Sequence, residues 1–139
     1  MDNLKNVIDR LKINEGYRSK VYKCSLGFDT IGYGFAIKDL ELSEDISTII
    51  LTGLVEKKHK FLKTKMGWYN DMPTEIQGVI LEMVYQIGYT GFTKFRKAIK
   101  YMINKDYKNA SKEMLDSKWA KSDSPQRAKR LSKIVENYG

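Results

Sequence analysis

Four side chains able to do chemistry lie close together in the stretch "EGYRSKVYKCSLGFDTIGYGF", residues 15–35: Glu15, Cys24, Asp29 and Thr30. A carboxyl can pass a proton, a thiolate can accept one or attack carbon, and a hydroxyl can hold a water. Cys24 is the only cysteine in 139 residues, nine positions after Glu15 and six before Thr30. A single thiol forms no internal disulfide, so the fold does not depend on an oxidising compartment. Read from spacing alone, Glu15 is either a proton donor at a helix–lobe junction, where clefts form, or a surface glutamate beside a turn glycine.

The remaining candidates are weaker. His59 is the lone histidine, in "VEKKHKFLK", and reads as a solvated helix residue with no ligands at metal-binding spacing. The chain contains no CxxC, HExxH or P-loop, so neither a metal nor a cofactor is expected. The two glycines of "TIGYG" mark either a bend or a close backbone approach to a ligand. Trp68 and Trp119 read as core aromatics, and "RAKR" at 127–130 as a solvated helix face. Lysines are scattered over several segments rather than gathered on one recognition helix, which argues against nucleic acid as a partner.

The elements that must position these residues follow from periodicity. Leu4, Val7, Ile8 and Leu11 make the stripe of a first helix over 2–13, with Asp2 as its N-cap. Residues 17–36 turn β-branched and aromatic, which predicts a small hairpin or three-stranded sheet. Helical spacing returns at Ser43 and runs to about Lys65, where "GWYND" breaks it. A nearly uncharged helix from Pro73, closed by Gly88, is expected to be central and buried. Further helices are expected at about 93–104, 106–117 and 125–136. The last opens at Ser124 and Pro125 and buries Ala128, Leu131, Ile134 and Val135. The class is α+β.

In order along the chain, "NEGYRSKVYK", "TIGYG", "EMVYQIGYTGFTKF" and "SKWAKSDSPQRAKR" together resemble the phage lysozymes, muramidases of glycoside hydrolase family 24. The resemblance implies a single lysozyme-like domain over 1–139. Residues of about 15–42 form a small β-rich lobe, residues 1–14 and 43–139 a helical lobe, and the cleft lies between them. It implies Glu15 as general acid, Thr30 as a holder of the attacking water, and Tyr85 with Gln86 lining the saccharide site. Arg127 takes the place of the arginine that pairs with the glutamate. Cys24 stands where most members carry the second catalytic aspartate.

Other positions depart from the pattern as well. Phe35 replaces a histidine, Ala36, Ala98 and Glu113 stand where the family often has larger or neutral substrate-contacting residues, and the segment between Ile37 and Ser43 is short. Alternation along a strand turns Asp29 away from the face of Thr30, so Asp29 is a poor replacement for the aspartate. A free thiol has a pKa of about 8.5. Glu15 would raise it, whereas Lys20, Lys23 or Arg127 nearby would lower it. Cys24 thus serves as base, as nucleophile, or as a weak helper.

The implied activity is hydrolysis of the β-1,4 bond between N-acetylmuramic acid and N-acetylglucosamine in bacterial peptidoglycan. The alternative is a catalytically weak or inactive peptidoglycan-binding module. A net charge of +8 and a pI near 9.4 predict attraction to anionic cell-envelope polymers. The N-terminal segment has no signal-like apolar run, so the resemblance implies a monomeric endolysin held in the host cytoplasm until release, or a virion lysozyme.

Overall fold

The computed structural model describes residues 2–138, with the side chains of residues 4–138, so the cap expected of Asp2 lies outside the described side chains. Two compact units make up the chain, Met1–Ser47 and Thr48–Gly139.

In the first unit, α1 (Asp2–Glu15) ends at Gly16, whose N–H donates to the Lys12 carbonyl at 3.0 Å with φ at 72°. That left-handed conformation suits glycine and closes the helix directly after Glu15. Three antiparallel strands follow in the order β1 (Arg18–Lys23), β2 (Asp29–Gly32) and β3 (Phe35–Ala36). Tyr22 stands opposite Thr30 and Lys23 opposite Asp29, whereas Arg18 faces Gly32. The register shifts across the intervening residues of β1, between Arg18 and Tyr22.

Cys24 begins the β1–β2 turn. Its carbonyl accepts the Gly27 N–H at 2.8 Å, and its own N–H donates to Phe28 O at 3.0 Å. Gly27 is left-handed, with φ at 85°. This is the three-residue hairpin connection in which a turn is followed by a left-handed glycine. Thr30, on the central strand, is the buried residue of this unit among those described. A 3₁₀ turn at Ile37–Asp39 leads to Ser43, whose Oγ accepts the Ile46 N–H at 3.2 Å and caps α2 (Glu44–Lys65).

The second unit holds the hydrophobic core. After α2 the "GWYND" segment forms a 3₁₀ turn, Gly67–Asp71. Then come α3 (Thr74–Thr93), α4 (Arg96–Ile103), α5 (Tyr107–Leu115) and α6 (Pro125–Tyr138). Ile76, Val79, Ile80, Met83 and Val84 of α3 are buried, as its lack of charge predicts. Around them pack Leu62, Met102, Met114, Leu131 and Val135.

Three expectations need correction here. Gly88 interrupts α3 with φ at 79° rather than ending it, and helix resumes to Thr93. Ile134 is 44% exposed instead of buried, because Leu131 and Val135 already fill the inward face of α6. His59 is half-buried, with Nδ1 2.7 Å from Tyr69 Oη, so it is not a solvated helix residue. Burial pushes the Tyr69 phenol up to about 12. Among the described residues no helix is long and apolar enough to cross a membrane.

Candidate active site

The first unit carries Glu15, Cys24 and Thr30 together, while Tyr85, Gln86 and Arg127 belong to the second. Glu15 is the last residue of α1 and is exposed. Its carboxyl lies against the backbone of Gly34, in the β2–β3 turn. A β-carbon added to Gly34 would stand 3.0 Å from Glu15 Cδ and closer still to Oε2. Of the two "TIGYG" glycines, Gly34 makes its close approach to the candidate acid rather than to a ligand, whereas a β-carbon on Gly32 would meet the Phe35 ring. Sequence reasoning flagged the glycines but did not join Gly34 to Glu15.

Cys24 is held by its own hairpin. The Phe28 amide first, then that of Leu26, lowers the thiol below its ordinary range, with smaller contributions from the Thr30 hydroxyl and the Gly27 amide. Desolvation opposes them, by more than either of those last two contributes. The sequence suggested lysines for this role. Lys23 is otherwise engaged, with its Nζ 2.6 Å from Asp29 Oδ1 on the exposed side of the strand pair. Asp29 is thus tied to Lys23, while its neighbour Thr30 turns inward and is 3% exposed. Thr30 Oγ1 donates to Phe28 O at 2.9 Å. Its one proton cannot serve Phe28 O and the Cys24 sulfur at once.

In the second unit Tyr85 projects from α3, 46% exposed. Gln86 beside it is clamped at both ends of its amide. Oε1 accepts the buried Trp119 Nε1–H at 2.9 Å, and Nε2 donates to Ser124 Oγ at 2.5 Å. One N–H and one lone pair of the amide remain for a ligand. Ser124 and Trp119 were legible only as a cap and a core aromatic. Trp119 opens a π-helical turn, Trp119–Asp123, and Ser124 follows it, closing it with its N–H to Trp119 O at 2.7 Å. Such turns recur at functional sites. Arg127 follows in the first turn of α6, half-buried.

A cavity of about 660 Å³ also lies within this unit. Phe95, Trp119 and Ala98 supply apolar wall, while Glu113, Asp116 and Lys118 supply charge. Ala98 and Glu113, distant in sequence, meet there. Lys121 Nζ, 2.7 Å from Asp116 Oδ1, holds the Asp116 carboxyl below its ordinary range, first by hydrogen bonding and then by charge. Among the described residues no cluster of three or more His, Cys, Asp or Glu side chains could hold a metal ion.

A small antiparallel sheet that follows a helix ending in Glu15, together with a helical unit built on one buried helix, is an α+β arrangement of the lysozyme kind. The family model described as phage lysozyme matches residues 12–136, and the chain belongs to that family. Two similar proteins come from Dictyostelium discoideum. "Probable T4-type lysozyme 2" is 27% identical, covering 92% of each chain. "Probable T4-type lysozyme 1" is 26% identical, covering 94% of each. Membership places this protein among the lysozyme-like, peptidoglycan-hydrolysing enzymes.

Proposed function

We propose that the protein is a muramidase that hydrolyses the β-1,4 bond between N-acetylmuramic acid and N-acetylglucosamine. Glu15 is the general acid, and Cys24 works in place of a carboxylate. The observation that carries this reading is the placement of Glu15, Cys24 and Thr30 on one small unit, with the thiol's ionised form favoured by backbone amides. Glu15 passes its proton to the leaving glycosidic oxygen as the bond to C1 breaks. In one course the Cys24 thiolate takes a proton from a water held by Thr30, and the water oxygen attacks C1 with inversion. In the other the sulfur bonds to C1, and water later releases the sugar with retention. Tyr85 and the free valences of Gln86 contact the saccharide. The family resemblance gives Arg127 the supporting role toward Glu15.

The same reading makes the protein a monomeric bacteriophage endolysin or virion lysozyme that meets its substrate after release from the host cytoplasm. Attraction to anionic envelope polymers fits the distribution of charge. Residues 48–139 hold 18 of the 25 basic residues but only 9 of the 17 acidic ones.

Clearing of outer-membrane-permeabilised Gram-negative cells by wild type beside Glu15→Gln tests the proposal. The amide is nearly isosteric but has no proton to donate, so clearing is expected to stop while the circular dichroism stays unchanged. Equal clearing would remove Glu15 from the mechanism. A second reading, a weak or inactive peptidoglycan-binding module, is favoured by the thiol at position 24. Wall pelleting with no released reducing sugar would establish it.

A further inference from the structure

Among the described residues five glycines are left-handed: 16, 27, 32, 34 and 88. At Gly16, Gly27 and Gly88 an added β-carbon would meet nothing within 4 Å, so backbone conformation alone calls for glycine there. Gly34 differs. Its φ is 75°, and the space a β-carbon would fill is already taken by the carboxyl end of Glu15.

From this contact we propose that Gly34 is a positioning residue for proton transfer: its bare α-carbon is the wall against which the Glu15 carboxyl stands. The inference rests on the reading of Glu15 as general acid. Three observations support a fixed wall rather than a chance contact. Gly16 closes α1 immediately after Glu15, which anchors the backbone end of the side chain. Tyr33, the neighbour of Gly34, packs its ring 5.5 Å from that of Tyr17, and Lys12 Nζ lies 5.7 Å from the Tyr33 ring centre. Lys12 and Tyr17 flank Glu15 in sequence, so the turn is tied to the chain on both sides of the acid. A methyl at position 34 would therefore move the carboxyl, because the turn itself is held. Displacement of a reacting group by about 1 Å can cost on the order of 100-fold in rate.

The experiment combines steady-state hydrolysis of dye-labelled peptidoglycan with melting of Gly34→Ala, Glu15→Ala and the double variant. Gly34→Ala is expected to lose about 100-fold in kcat, with KM changed by no more than about threefold. Its melting temperature should fall, and the Glu15→Ala background should remove a measurable part of that fall, smaller than the part due to backbone strain because the displaced carboxyl is the free end of an exposed side chain. Backbone strain at position 34 is the same in both backgrounds and cannot produce this coupling. Gly88→Ala, with similar strain and an empty surrounding, should lose the same stability with or without Glu15. If Gly34→Ala does not fold, recovery of a folded protein in the double variant supports the proposal. Equal melting losses in the two backgrounds, a double variant that also fails to fold, or wild-type kcat in Gly34→Ala overturn it. Should Glu15→Gln hydrolyse at the wild-type rate, the acid assignment falls whatever the melting coupling shows. Lost coupling with an inactive Glu15→Gln removes only the role of Gly34.

Discussion

Thr30 donates its hydroxyl proton to the Phe28 carbonyl at 2.9 Å, and the same carbonyl receives the Cys24 N–H at 3.0 Å. The residue expected to hold water is thus bound to the turn that carries the thiol. When Cys24 ionises, the sulfur competes with Phe28 O for that single proton. In the proposed mechanism Thr30 would act through Cys24 as well as through any water it holds.

If Cys24 does the work of a carboxylate, its hydroxyl analogue should fail, since serine is far less acidic and a weaker nucleophile. Cys24→Ser and Cys24→Ala are expected to lose most hydrolysis, and Cys24→Asp to keep a substantial part. The anomeric configuration of the first product, read by NMR, separates thiolate-directed water (inverted) from a thioglycosyl intermediate (retained). Wild-type cleavage by Cys24→Ala would make the thiol a passive small group.

The lowered thiol predicts a pH signature. Iodoacetamide labelling of Cys24 should reach half-maximal rate below the value of about 8.5 of a free thiol. Thr30→Val, which removes one donor to the sulfur, should move that midpoint upward. Because the folded value is depressed, the associated stability is fully present above about pH 8.5 and is lost as pH falls through the folded value. Wild type should therefore gain on Cys24→Ser in denaturant melts as pH rises through that window. A midpoint at or above 8.5 would show that the hairpin amides do not act on the sulfur.

Gln86 carries a structural duty alongside its proposed saccharide contact. Gln86→Leu leaves the buried Trp119 indole N–H without its acceptor. An unsatisfied buried donor costs about 1–3 kcal/mol, which urea melts would resolve. Gln86→Leu paired with Trp119→Phe should recover part of that loss. Stability of Gln86→Leu equal to wild type would show that the indole bond contributes nothing.

Arg127→Ala is expected to lower both stability and hydrolysis if the guanidinium serves Glu15. Glu15 is exposed and Arg127 half-buried, so an ion pair between them would contribute about 0–1 kcal/mol. A double-mutant cycle with Glu15→Ala measures the coupling. Additive losses would mean that the two residues do not meet.

Most of the elements were legible in sequence because their signals are local. Apolar spacing along 74–87, the glycine after Glu15, Ser43 before α2 and Pro125 at the start of α6 each act within a turn or two of chain. The resemblance in ordered motifs likewise needed only sequence, and it placed Glu15, Cys24 and Thr30 on the page before any coordinate. Partnerships across longer separations were not legible. His59 meets Tyr69 ten residues on, Gln86 meets Trp119 and Ser124 at separations of 33 and 38, and Glu15 meets Gly34. Each depends on where the backbone returns, which composition and period do not encode. The thiol shows the same division. Its lysine neighbours in sequence suggested charge as the stabiliser, yet folding gives Lys23 to Asp29 and leaves the hairpin amides as the main groups favouring the thiolate. A one-residue alternation along β2 decides which of Asp29 and Thr30 faces inward, and tertiary pairing decides what each then touches.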